Sequence, residues 1–149
     1  MRRRWIGSVL VLLAVLWGCG GSDGEIRHDR PADDAAAYPT AYIAAVVAAV
    51  DGDDLAVDGG EHVVVASNFD QRTDMGGWAL EDADGTRLPL GIGRQLDPGG
   101  ELRIHTGCGT ETDDAVFACL DTEVLDDGGD TVRLLDAAGA EVDAFRYGE

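Results

Sequence analysis

Turn signals at short, regular intervals constrain this chain more than any other feature. Asp51-Gly52, Asp84-Gly85, Asp97-Pro98-Gly99-Gly100, Asp127-Gly128-Gly129 and Ala137-Ala138-Gly139 punctuate apolar runs of only a few residues. Glycine tolerates the positive φ that tight turns require, and proline presets the second turn position. The best-defined unit is Gly76-Gly77-Trp78-Ala79-Leu80-Glu81-Asp82-Ala83-Asp84-Gly85-Thr86. Here a loop ends, a short strand follows with Trp78 and Leu80 on one face, and Asp84-Gly85 turns the chain back. Trp78, one of few aromatics, is expected at the centre of a core.

Similar units lie on both sides. Glu61 to Asn68 reads as a strand, as do Thr86 to Leu90, Glu101 to Thr106, Ala115 to Leu120, Thr131 to Asp136 and Val142 to Tyr147. Ala41 to Val50 has apolar spacing that also fits a helix. Its β-branched residues and the turn at Asp51 to Asp54 favour a strand. Seven to eight short strands at such intervals predict an all-β antiparallel sandwich.

The first eighteen residues read as an export signal. Arg2-Arg3-Arg4 is basic, and Ile6 to Trp17 is apolar for about a dozen residues, whereas a spanning helix needs about 20. Leu16-Trp17-Gly18-Cys19 resembles a prokaryotic lipobox, which implies cleavage before Cys19 and lipid on its sulfur, although Trp17 replaces the usual small residue. The alternative is ordinary cleavage near Gly18 with Cys19 left as a thiol. A twin-arginine route is the other export option. Residues 19–39 are rich in Gly, Asp, Ala and Pro, carry no apolar period, and read as a flexible tether; residues 40–149 form the domain.

Charge bounds the partners. All eleven basic residues are Arg, and the formal net charge is −18. Loss of the leader removes three Arg and no acid, leaving eight Arg against 29 acids, a net −21. Such a surface repels phosphate, so no nucleic acid partner is expected. It also suits high salt, where repulsion is screened.

From Glu61 onward the sequence resembles the lamin tail domain. The matching stretches are Glu61 to Asn68, Gly77 to Gly85, Leu96 to Gly100, Ile104 to Gly107, Gly128 to Leu134 and Val142-Asp143. The resemblance implies an immunoglobulin-like β-sandwich, frequent on secreted proteins. It implies no catalytic residue and no cofactor.

Three groupings invite a chemical reading. Val46 to Asp54 resembles the opening of staphylococcal-type nucleases, whose carboxylates hold Ca²⁺, and makes Asp51, Asp53 and Asp54 the metal-ligand candidates. The Thr expected in that motif is Asp54, and the Arg and Pro-Glu that should follow are absent, so an Asp-Gly turn is the plainer account. Asp113-Asp114 and Asp126-Asp127-Asp130 are acidic clusters without EF-hand spacing, read as solvated loops. His62 and His105 stand apart at strand positions, with no zinc or triad spacing, and are read as surface imidazoles.

Cys108 and Cys119 form an even pair once Cys19 is lipidated, and outside the cytoplasm they are expected to bridge. Free thiols are the alternative. The expectation for the whole chain is a non-catalytic, lipid-anchored surface protein that binds or tethers an envelope component. A metal-dependent hydrolase acting through Asp51 and Asp53 and a purely structural envelope protein are the alternatives.

Overall fold

The computed structural model describes residues 25–27, 39–48, 54–56 and 60–148. All regular structure among them is strand. One sheet has the order β1 (Glu25–Arg27), β2 (Ala41–Val47), β3 (His62–Ser67), β8 (Glu101–His105), β9 (Ala115–Phe117). The facing sheet runs β11 (Glu141–Gly148), β10 (Gly129–Leu135), β5 (Ala79–Glu81), β6 (Arg87–Pro89). A two-residue ladder joins β4 (Thr73–Asp74) to β7 (Gln95–Leu96). The architecture is an open, all-β sandwich of immunoglobulin-like type.

The period-2 pattern sets the core. Val63 and Val65 of β3, Leu102 and Ile104 of β8, Leu80 of β5, Val132 and Leu134 of β10 and Phe145 of β11 are almost fully buried in one cluster. Residues of the opposite phase in β2 and β3, including Ala45, Val47 and Val64, are buried as well. That explains why Val63-Val64-Val65 is an unbroken apolar run.

Four features differ from the sequence expectation. The pairing of β8 with β9 is parallel, with Ile104 opposite Val116, and residues 106–114 cross back between them. Glu25–Arg27, inside the stretch read as a tether, pairs with Ala45–Val47 and covers that half of the β2 edge. The β5–β6 turn is longer than a two-residue Asp-Gly turn. The Asp82 carboxylate accepts the Thr86 amide at 2.7 Å, the Asp82 carbonyl accepts the Gly85 amide at 3.3 Å, and Gly85 has φ 87°. Trp78 is not at the centre of the core. It precedes β5, is half-buried, and meets Phe69 edge-to-face at 6.3 Å, while Leu80 and Met75 are fully buried.

A bulge in β2 between Ile43 and Ala45 releases one ladder bond. The freed Ile43 amide donates to the Asp143 carboxylate at 2.8 Å, tying the first sheet to the edge of the second.

Candidate functional site

β3 is the reference axis. Ala66 near its end is opposite Glu101, and His62 at its start is opposite His105. The two ends of the sandwich therefore carry different loops, and each presents a polar cleft.

At the Glu101 end a cleft of about 300 Å³ is lined by Arg72, Arg94, Gln95, Asp97, Asp113 and Asp114, among others. The β4–β7 ladder places Arg72 and Arg94 on its walls. Arg72 makes a two-point contact with Asp97, Nε to Oδ1 at 2.5 Å and Nη2 to Oδ2 at 3.0 Å. This holds the exposed Asp97 carboxyl below its ordinary range. Arg94 is the more enclosed cation, its side chain 14% exposed. Its Nη2 donates to Glu111 Oε2 at 2.6 Å, and its Nη1 donates to the Thr112 carbonyl. The Thr112 hydroxyl donates to Asp114 Oδ1 at 2.6 Å, which lowers the Asp114 pKa. The crossover 106–114 is thus clasped against β7 by one guanidinium. Its rim presents Asp113, Asp114 and Glu101 to solvent.

The same crossover is stapled at its far end. Cys108 and Cys119 are joined in a disulfide. Cys119 follows β9 in a left-handed conformation, φ 52°, and its amide donates to the Gly107 carbonyl at 3.1 Å. Beside it, His62, His105 and Phe117 form a row across three strands, His62 to His105 at 4.9 Å and His105 stacked on Phe117 at 4.6 Å. His105 is therefore buried, at 9% exposure, and not the surface imidazole expected from the sequence. Parallel pairing sets Phe117 directly against it. His62 is half-buried and donates from Nδ1 to the Gly60 carbonyl at 2.6 Å.

The His62 end is acidic. Asp84, Glu123, Val124, Leu125, Asp126 and Asp127 line a second, more open cleft of about 390 Å³. Beneath it Glu61 is 1% exposed, and its Oε1 accepts the Val124 amide at 3.1 Å. Burial pushes the Glu61 carboxyl above its ordinary range; the Val124 and Leu125 amides and Thr106 oppose this, and Asp54 adds to it. Tyr147 is buried nearby, its phenol raised by burial and then by Asp130, Glu61, Asp126 and Asp127.

Of the residues singled out by sequence, Cys19, Asp51 and Asp53 lie outside the described residues. Asp54 is half-buried, and its carbonyl accepts the Glu61 amide at 2.6 Å. Asp113 and Asp114 belong to one cleft and Asp126 and Asp127 to the other. Among the described residues no three His, Cys, Asp or Glu side chains are grouped to hold a metal between them. Glu61, Arg94 and Tyr147 were not legible as site residues. Their partners are distant in sequence, and only an acidic residue at a strand start gave a signal at Glu61.

Two comparisons bear on identity. The family model of the Lamin Tail Domain matches residues 35–149. No curated protein matches the sequence.

Proposed function

The chain belongs to the lamin tail domain family, and from that premise we propose a non-catalytic binding module, exported and held at the outer face of the cell membrane by lipid on Cys19. Its partner-facing surface is the cleft between β7 and the crossover 106–114. The observation that carries this reading is the cleft itself: a concave site with guanidinium groups on its walls and exposed carboxylates at its rim. Loops on a rigid sandwich are where binding surfaces are built. Such a lining suits a partner bearing both charges, a protein segment or another polar envelope component, and does not suit nucleic acid.

The lipobox-like Leu16-Trp17-Gly18-Cys19 supports the anchor. Cys19→Ser should move the protein from the membrane fraction to the soluble one; retention would remove the anchor from the account. For the binding reading, the wild type and an Asp113→Asn/Asp114→Asn variant are immobilised and challenged with envelope extract. A component retained by the wild type and reduced about tenfold on the variant supports the cleft. Equal retention on both would exclude the rim carboxylates from recognition.

A further inference from the structure

The crossover 106–114 is held at two points of different chemistry. Arg94 clasps its second half through Glu111 and Thr112. Its first half depends on the Cys108–Cys119 disulfide. Among the described residues Cys108, Gly109 and Thr110 make no hydrogen bond and no ion pair. Gly109 lies flat against the Phe117 ring, which leaves no room for a side chain there. A segment with so few ties opens readily once its covalent link is gone.

Three observations mark this bond as one that can be broken in the folded protein. Both cysteines are exposed, and exposed disulfides are the ones open to thiol attack. Cys119, alone among the described non-glycine residues, has a positive φ, 52°, a left-handed backbone that a residue with a side chain adopts at a cost. The bond to Cys108 and the hydrogen bond from the Cys119 amide to the Gly107 carbonyl hold it there. Neither cysteine belongs to the hydrophobic core cluster, although Ala118 and Leu120 on either side of Cys119 pack against it. The sandwich therefore keeps its core when the bond opens, and Cys119 becomes free to leave its left-handed conformation.

We propose that Cys108–Cys119 is a redox-sensitive latch, opened in the folded protein by a dithiol, which releases the first half of the crossover while Arg94 still holds the second. A thiolate of the dithiol attacks one sulfur, forms a mixed disulfide and expels the other cysteine as a thiolate, which takes up a proton. The second thiol of the reductant, having lost its proton, displaces the remaining cysteine in the same way. Two electrons and two protons thus pass from the dithiol to the protein, giving two cysteine thiols and an oxidised dithiol. A reductant of Cys-x-x-Cys type supplies this chemistry. Residues 107–110 then lift from Phe117, on which His105 is stacked, and the cleft wall beyond them rests on the Arg94 clasp. Nothing in this proposal depends on what the cleft binds.

The test uses the purified protein and dithiothreitol as the reductant. Thiols at Cys108 and Cys119 are counted by alkylation and mass, and the fold is followed by circular dichroism. Both should alkylate at dithiothreitol concentrations that leave the cooperative unfolding transition in place. In the reduced protein, cleavage after Glu111 by a glutamate-specific protease, read from the fragment masses, should quicken about tenfold, because the protease needs local opening. Arg94→Met should raise that rate more in the reduced protein than in the oxidised one, since each fastener limits release when the other is gone. Cys108→Ser/Cys119→Ser should be cleaved at the reduced rate with or without dithiothreitol, which separates the latch from any effect at Cys19. Thiols that appear only as the protein unfolds, or an unchanged cleavage rate in the reduced, folded protein, would overturn the proposal.

Discussion

Arg94→Met tests the clasp that shapes the cleft between β7 and the crossover 106–114. Methionine retains most of the aliphatic stem, which packs beside Gly91, and removes the guanidinium. Two interactions go with it. The bond to the Thr112 carbonyl is a charge-assisted hydrogen bond from a side chain only 14% exposed, a kind that contributes about 1.5–3 kcal/mol. The Glu111 contact at 2.6 Å involves a carboxylate 56% exposed. Water can take over Glu111, so that pair contributes about 0.5 kcal/mol or less. Some of the Thr112 loss is recovered if the loop opens to solvent. The expected destabilisation is about 1.5–2.5 kcal/mol, a fall in melting midpoint of roughly 6–11 °C for a domain of this size. Glu111→Gln should cost no more than about 0.5 kcal/mol. Urea unfolding of both variants gives the stabilities, and amide exchange should quicken over residues 109–114 in Arg94→Met alone. A loss below about 0.5 kcal/mol with unchanged exchange would show that the disulfide, and not Arg94, holds the crossover.

Leu80→Ala, at a fully buried position, should cost about 2–5 kcal/mol, and Trp78→Ala, at a half-buried one, should cost less than Leu80→Ala. The reverse order by urea unfolding would restore Trp78 to the core centre. Burial holds the Glu61 carboxyl above its ordinary range, so its protonated form contributes stability at acid pH that is lost as pH rises through the folded-state value. The stability of the wild type relative to Glu61→Gln should therefore fall as pH rises above the ordinary glutamate range, about pH 4; a constant difference would contradict the burial argument. With a net charge of −18, the purified protein should gain stability from about 0.01 M to about 1 M NaCl, most steeply at the low end as the Debye length shortens from about 30 Å to about 3 Å. A flat melting midpoint would remove charge repulsion as a determinant.

The strands legible in the sequence are those whose information is local. Val63-Val64-Val65 is apolar in both phases, Leu102 and Ile104 alternate with polar residues, and Val132 and Leu134 do the same. Features set by chain crossings were not legible. The parallel register of β8 and β9 depends on where residues 106–114 return, and with it the burial of His105 under Phe117. Met75, between Asp74 and Gly76, shows no period, yet its amide donates to the Arg94 carbonyl at 2.7 Å and its side chain is fully buried. Trp78 misled because size suggested a core plug, although it stands one residue outside its strand. The same logic hid the candidate sites. Arg94 reads as one of several scattered arginines until Glu111 and Thr112 close on it, and Glu61 reads as a polar strand start until Val124, 63 residues later, covers it.

The footprint of any envelope component that the protein retains tests the proposed binding role most directly. Amide hydrogen exchange of the protein is compared with and without the envelope component it retains. The account predicts slowed exchange over residues 93–101 and 111–114, the walls and rim of the Arg72–Arg94 cleft, with the outer face of β10 and β11 unchanged. Protection confined to β10 and β11, with the cleft segments exchanging as in the free protein, would contradict it.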